Sequence, residues 1–204
     1  MGHTTLTFYS NVVGTILNCL LLIPSIYSTD LGIAYIGKYN LSDFQEGGPV
    51  RPVVARYPAP GYIDNSTGLN QWTNDVAILK LDRAPANPIM VTLNKDPNFP
   101  NATGTPLLAL GWGSTTNGIT APLTRSAILQ QGEENYISDA QCAVAKDPIT
   151  GAAFGLSVTD TALTADWLCT LGPVSHPCKG DSGGPILQPG AAPRYDLLVG
   201  VISR

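Results

Sequence analysis

The chain has 204 residues, of which 13% are charged and 44% are hydrophobic, and its formal net charge is −4. This length suits one large β domain or two small ones, with an ample core. The acidic balance, without any run of Lys or Arg, excludes the basic surface that nucleic-acid-binding proteins use. The abundant glycine (21) and proline (17) are typical of a chain with many short strands and turns.

The first 34 residues are the hardest part of the chain to interpret. The stretch from Val12 to Ile23 is apolar but shorter than a membrane-spanning helix. Three interpretations stay open for it. The first is the hydrophobic region of a signal peptide, although no Lys or Arg precedes it. The second is a buried strand of the first barrel. The third is translated non-coding sequence ahead of a misplaced gene start.

From Tyr35 onward, short runs rich in Ile, Val, Leu and Tyr alternate with turn clusters. This pattern predicts an all-β fold of the sandwich or barrel type. The clearest strands run from Pro52 to Arg56, Val76 to Leu81, Pro106 to Trp112, and Leu197 to Ser203. Turn clusters fall at 64–68 and 115–118, and one short helix is predicted between Ser138 and Lys146.

The most informative stretch is Gly180-Asp181-Ser182-Gly183-Gly184-Pro185. A serine among glycines suits acyl-transfer chemistry, because glycine permits a tight turn that brings backbone N–H groups close to a substrate carbonyl. Two such amides, from Gly180 and Ser182, are expected to form an oxyanion hole, a feature that contributes about 3 kcal/mol of transition-state stabilisation. The alternative interpretation is an ordinary Gly-Pro surface turn.

Several other stretches accompany this loop, and together with it they resemble the chymotrypsin- and trypsin-like serine protease family in sequence and in order. They are Asn74 to Leu81, around the triad aspartate; Leu110 to Gly113, a Gly-Trp-Gly strand; the cysteine-bearing Ile137 to Cys142 and Leu163 to Cys169; and the strand Leu198 to Ser203. The resemblance implies two antiparallel six-stranded Greek-key β-barrels. Residues 35–94 would be the remnant of an incomplete first barrel, 95–105 the crossover and 106–204 the second barrel.

The resemblance also implies roles for individual residues. Ser182 would be the nucleophile, Asp75 would orient the general base, and the amides of Gly180 and Ser182 would form the oxyanion hole. Asp181 takes the place of the aspartate that pairs with the chain terminus freed on activation. A turn-forming aspartate is the alternative for Asp181, and a strand-capping carboxylate for Asp75.

His176, six positions before Ser182, takes the place of the floor of the specificity pocket. Trypsins carry an aspartate there, which favours Arg and Lys. A histidine does not supply that negative charge, so trypsin specificity is not carried over, and an imidazole there would suit an acidic side chain. A loop histidine adjoining Pro177 is the alternative.

The general base of the family is missing. In the family it is a histidine in a Thr-Ala-Ala-His-Cys segment, expected here near Leu21 to Asp30, but the chain's two histidines are His3 and His176. A serine hydroxyl is a poor nucleophile until an adjacent base accepts its proton. The chain as written is therefore expected to be a very poor protease.

Compared with the family, the sequence lacks expected segments at both of its ends. The activation terminus, the last cysteine and the closing C-terminal helix of the family are not found in the sequence. We therefore expect an incomplete first barrel, and we favour translated non-coding sequence for residues 1–34, since it explains the missing base and terminus together.

The chain has four cysteines: Cys19, Cys142, Cys169 and Cys178. The resemblance implies a Cys142–Cys169 disulfide and leaves Cys178 without a partner. The sequence alone permits three pairings, including Cys19 with Cys178. The family is secreted, where disulfides persist, so we expect an extracellular protein. Three glycosylation sequons are compatible with that location, at Asn40, Asn65 and Asn101.

No cofactor and no metal are expected. Some family members hold calcium in a loop whose first ligand is a carboxylate, but Lys38 takes that position, and an ammonium group opposes a hard cation. No zinc spacing of Cys and His is present. The expected partner is a protein or peptide substrate rather than nucleic acid or a membrane, and the protein is expected to be a monomer.

Two functional interpretations follow. The first is a serine endopeptidase of this family. The second is a catalytically dead homologue that uses its cleft or loops for binding, as the secreted glucanase inhibitors of the family do. Asp75 and the intact Ser182 loop favour the first, because binding alone does not require them. A third outcome is a chain that does not fold stably, since a bare strand edge promotes aggregation.

Overall fold

The computed structural model describes residues 32–62, 74–85, 90–116, 124–146, 167–174 and 176–203, and the backbone of three earlier strands. The strands are β1 (Thr5–Phe8), β2 (Val13–Leu17), β3 (Leu20–Ile23), β4 (Ile33–Ile36), β5 (Val50–Pro58), β6 (Ala77–Leu81), β7 (Thr92–Leu93), β8 (Pro106–Gly111), β9 (Gln130–Ile137), β10 (Cys169–Leu171), β11 (Pro185–Gln188) and β12 (Leu197–Val201). One α-helix, α1 (Asp139–Ala143), and one 3₁₀ turn, Pro193–Tyr195, accompany them in the described residues. The predicted all-β, chymotrypsin-like fold is confirmed.

The first sheet is a closed barrel of six strands in the order β1-β2-β3-β6-β5-β4, and all neighbours are antiparallel. Strand β6 shows why a core forms inside it: Ala77, Leu79 and Leu81 are buried and alternate with less buried residues, as expected for a strand with one inward face. The barrel differs from the incomplete one that the sequence analysis expected, because β1, β2 and β3 come from the segment that carries no family motif.

The second sheet has six strands in the order β10-β9-β8-β11-β12-β7. Its core contains a buried cluster of Leu107, Ala109, Ile186 and Ile202, against which Tyr136, Leu168 and Val199 pack. One pairing departs from the all-antiparallel expectation: β7 runs parallel to β12, with Thr92 beside Leu197. This happens because the residues leading into the crossover lie along the last described strand, where Asn94 N–H donates to the Leu198 carbonyl at 2.9 Å.

The two sheets are joined by hydrogen bonds between residues 39–41 and residues 112 and 127–129. The Leu41 N–H donates to the Ala127 carbonyl at 2.7 Å, and the Leu129 N–H donates to the Tyr39 carbonyl at 2.8 Å. The indole Nε1 of the buried Trp112 donates to the same Tyr39 carbonyl at 3.1 Å. These contacts fix the first barrel against the second sheet.

A disulfide between Cys142 and Cys169 ties α1 to β10, as the resemblance implied, with Cα atoms 6.1 Å apart. Helix α1 is shorter than the predicted 138–146 and begins at a capping box, in which the Ser138 hydroxyl and the Gln141 side chain each accept a backbone N–H. Cys178 is a free, half-buried thiol, which disagrees with a Cys19–Cys178 bond. Cys19 itself lies outside the described residues.

Across the described residues, no helix is both long and apolar enough to cross a membrane. The predicted turn cluster at 64–68 lies outside those residues, as do Asn65, His3 and the stretch from Pro24 to Asp30 in which the family's histidine was expected.

The loop after β4 closes around Lys38. This is the residue that takes the position of the first calcium ligand of some family members. Its side chain is buried, with 8% of its surface exposed, and its Nζ donates to the Asp43 carbonyl. The Glu46 carboxylate accepts the backbone N–H groups of Tyr39, at 3.1 Å, and Asn40. The buried Lys38 ammonium and the Glu46 carboxylate thus hold this loop together.

We expect Lys38→Met, which keeps the apolar stem and removes the charge, to lower the free energy of unfolding by about 1–2 kcal/mol because the hydrogen bond is lost. Urea denaturation measures this, with Lys95→Met at an exposed position as the matched control. An equal midpoint for the two variants would show that the Lys38 ammonium does not stabilise the loop.

Candidate active site

The loop that carries Ser182 is fixed by its own backbone. The Asp181 N–H donates to the Cys178 carbonyl at 2.9 Å and the Gly184 N–H to the Asp181 carbonyl at 2.8 Å, while the Gly183 N–H reaches the Ile202 carbonyl at 2.7 Å. Gly180 and Gly183 have φ of +103° and +90°, where side chains are strained. The glycines are therefore required by the turn, and the loop is anchored to the residues that follow β12.

The two predicted catalytic residues, Asp75 and Ser182, are linked through a third residue, Ser203. The Ser203 Oγ donates to Oδ2 of Asp75 at 2.6 Å, and the Ser182 Oγ donates to the Ser203 carbonyl at 3.3 Å. Asp75 precedes β6 of the first barrel, and Ser182 precedes β11 of the second sheet. The site is thus built where the two sheets meet, and Ser203, which the sequence analysis named only as the end of a strand, links its two sides.

The two predicted oxyanion amides point to no acceptor within the part of the chain that the structure describes. Among the hydrogen bonds of the described residues, neither the Gly180 N–H nor the Ser182 N–H has an acceptor. Both residues are only partly buried, so a substrate oxygen has access to them. Their role as an oxyanion hole stays a prediction that this arrangement permits.

The Asp181 carboxylate is held by backbone amides. Its Oδ1 accepts the Gly113 N–H at 2.7 Å, and its Oδ2 accepts the Cys178 N–H at 2.8 Å. A Cβ on either Gly111 or Gly113 would overlap this carboxylate, which gives the Gly-Trp-Gly stretch a physical reason. The predicted ion pair of Asp181 with a freed chain terminus stays a prediction.

Among the hydrogen bonds of the described residues, none joins His176 to Ser182 or Asp75. His176 is exposed, and its Nδ1 accepts the Gly172 N–H at 3.3 Å. His176 is therefore not placed to act as the base for Ser182.

A buried carboxyl group that the sequence analysis did not single out lies in β9. Glu134 is 2% exposed, and among the described residues no hydrogen bond of ordinary geometry reaches either of its oxygens. Burial raises the pKa of Glu134, and the nearby Thr170 hydroxyl and His176 imidazole oppose that rise more weakly. The neighbouring Glu133 is exposed. The sequence alone does not show which of these two adjacent glutamates is buried, because that depends on the register of the strand.

Two abutting β-sheets, with a glycine-bounded serine and an aspartate at their junction, are the architecture of the chymotrypsin-like fold. The sequence model of the Trypsin family matches residues 18–204, and the chain belongs to that family. The match begins earlier than the 35–204 expected from the motifs and includes β3. It also spans the stretch where the triad histidine was expected, yet His176 is the only histidine within it.

Individual relatives are distant in sequence. The chain is 30% identical over 158 residues to a beta-fibrinogenase, brevinase, from Gloydius blomhoffii, covering 75% of this chain and 58% of that protein. It is 24% identical over 196 residues to trypsin alpha from Drosophila erecta, covering 96% of this chain and 64% of that protein. Trypsin delta from Drosophila melanogaster is 26% identical over the same length, covering 96% and 65%. The chain thus spans about three fifths of the length of these relatives.

Proposed function

We propose that this chain has the function of a serine-type endopeptidase, with Ser182 as nucleophile, Asp75 as the residue that orients a base, and the Gly180 and Ser182 amides as the oxyanion hole. The observation that carries the proposal is the hydrogen-bonded link from Ser182 through Ser203 to Asp75, which supports a shared site for the two residues. Family membership supports peptide bonds as the substrate class.

We further propose that the chain as written hydrolyses peptides very slowly. The hydroxyl proton of Ser182 points to the Ser203 carbonyl, and an amide carbonyl accepts a hydrogen bond but does not remove the proton. Ser182 therefore stays a neutral, weak nucleophile. The amides of the oxyanion hole and substrate binding alone support a residual rate enhancement of about 10³–10⁴ over water.

A second candidate is a catalytically dead homologue that binds a protein or peptide in the same cleft. The absence of any histidine between residues 18 and 175 favours it, since hydrolysis needs a base and binding does not. Both candidates share the cleft, and they differ in whether the chemistry at Ser182 returns when a base is supplied.

The test is to place single histidine substitutions at each of residues 24–29, which follow β3 and lie within the stretch where the family's base was expected. At one of these positions we expect hydrolysis of an activated peptide ester to rise by about 10²–10⁴-fold, because the new imidazole accepts the Ser182 proton. Initial rates are measured beside Ser182→Ala and Asp75→Asn versions of the same variant, in which the gain should disappear.

Folding of every variant is checked by its thermal unfolding midpoint, so that a silent variant is not confused with an unfolded one. If all six substitutions leave folded proteins without Ser182-dependent hydrolysis, the endopeptidase proposal fails. The binding homologue is then the better description.

We propose a secreted, monomeric protein that carries glycans at its exposed sequons. Asn101 is exposed, whereas Asn40 is partly buried and its side-chain Oδ1 accepts the Ser42 N–H. Asn101 is therefore the better acceptor. Enzymatic removal of N-glycans from protein secreted by eukaryotic cells checks this, since no mobility shift would contradict it.

A further inference from the structure

Residues 113–115 lie between Arg125 and the loop that carries Ser182. On one side of this segment, Ser114 pairs with Arg125 in an antiparallel bridge. On the other side, the Ser114 N–H donates to the Lys179 carbonyl at 3.0 Å. The backbone therefore fixes Arg125 beside the Ser182 loop, at the place where that loop begins.

The guanidinium of Arg125 reaches the predicted oxyanion hole. A Cβ on Gly180 would lie 3.3 Å from Arg125 Nε and 3.6 Å from Arg125 Cζ. Because Gly180 has no side chain, the guanidinium lies against its Cα, the atom bonded to the amide nitrogen that is predicted to bind the substrate oxygen. The cation therefore borders the predicted position of the reacting carbonyl group.

Arg125 and its neighbour Lys179 have no anionic partner in the described part of the chain. Both side chains are exposed, and no ion pair of those residues includes either of them. Asp181, which follows Gly180, directs both of its carboxylate oxygens to backbone N–H groups instead. Two positively charged residues therefore stand next to Gly180, one in the chain and one in space, in a protein whose net charge is −4.

We propose that Arg125 is a specificity-determining residue and that it selects peptides with a carboxylate, from Asp or Glu, close to the peptide bond that faces Ser182. A guanidinium presents its N–H donors in a planar fork and binds a carboxylate through two parallel hydrogen bonds. Lys179 adds a second positive charge at the same place. The inference rests on the proposed function, in which the Gly180 amide receives the reacting carbonyl group.

The test compares two pools of octapeptides that carry a neutral fluorophore. One pool has Asp and the other has Asn at a fixed central position, and every other position is a mixture of uncharged residues. Fluorescence polarisation with the full chain measures the affinity of each pool. We expect the Asp pool to bind about three- to ten-fold more tightly at low ionic strength, and added salt should reduce this ratio because Arg125 is exposed.

Four variants locate the source of this preference. Arg125→Gln should lower the ratio at least about two-fold, and adding Lys179→Gln should bring it to about one, because the charge is then lost. Lys95→Gln removes an exposed cation elsewhere and should leave the ratio unchanged. His176→Gln should also preserve it, which separates this assignment from the acidic preference that the sequence analysis attached to His176.

Thermal unfolding midpoints show whether each variant is folded. Equal binding of the two pools, no binding of either, or an unchanged ratio in a folded Arg125→Gln variant would overturn the assignment. A loss as large in Lys95→Gln or in His176→Gln would overturn it as well. Binding requires no hydrolysis, whereas the proposed function is tested by Ser182-dependent hydrolysis in the histidine variants. The failure of this inference is therefore distinguishable from the failure of the proposed function.

Discussion

Gly184→Ala is expected to lower the free energy of unfolding by about 3 kcal/mol. A Cβ at this position would overlap the Leu110 carbonyl oxygen of β8 and lie 2.9 Å from the Asp181 carbonyl oxygen. Both are backbone atoms, so no side-chain rotation relieves the overlap. The Ser182 loop would have to move away from β8, and its hydrogen bond from the Gly184 N–H to the Asp181 carbonyl would be strained.

Gly200→Ala is the matched control for this change. It lies in β12 of the same sheet, and the nearest atoms to a Cβ there would belong to the side chains of Ile186 and Leu168, at 3.7 Å. That is an ordinary van der Waals distance, so we expect a change within about 1 kcal/mol, of either sign. Urea denaturation followed by tryptophan fluorescence measures both variants. Similar midpoints would mean that the loop is not packed against β8 as described.

Removing the disulfide with the pair Cys142→Ala and Cys169→Ala is expected to lower the free energy of unfolding by about 3.5 kcal/mol. The two cysteines are 27 positions apart, and the relation between loop length and entropy gives this magnitude for a loop of that length. Alanine avoids leaving a free thiol in the core at Cys142, which is 4% exposed. The unfolding midpoint of the oxidised protein is compared with that of the double variant.

Cys178→Ala serves as the control, because Cys178 is a free, half-buried thiol. It should change the unfolding free energy by less than about 1 kcal/mol, and a reducing agent should lower the midpoint of this variant as it lowers that of the wild type. Insensitivity of the wild type to the reducing agent would show that the Cys142–Cys169 bond does not stabilise the fold.

The strands that carry family motifs were predictable within one or two residues. The run from Val76 to Leu81 contains β6, and the run from Pro106 to Trp112 contains β8, because alternation and flanking turns mark both. Strands β1, β2 and β3 were not assigned. An apolar run without alternation does not distinguish a strand from a signal peptide, and only pairing with β4 and β6 decides.

The residues of the candidate site also divide into those that the sequence predicted and those that it did not. Ser182, Asp75 and Asp181 stand inside recognisable motifs, so the sequence pointed to them. Ser203 was missed because its role depends on contact with Asp75, a residue 128 positions away in the chain. Glu134 was missed because Glu133 and Glu134 are adjacent, and a shift of one residue in register exchanges which of them faces the core.

The hydrogen bonds between the two sheets have a consequence for how the molecule opens. The amide hydrogens of Leu41 and Leu129 are each directed at a carbonyl on the opposite side of the junction. They exchange with solvent only when the junction separates, whereas amides inside either sheet exchange when that sheet frays. A shared, slow exchange rate at Leu41 and Leu129 would therefore measure how often the two sheets separate. Each separation would also break the contact between Asp75 and Ser203.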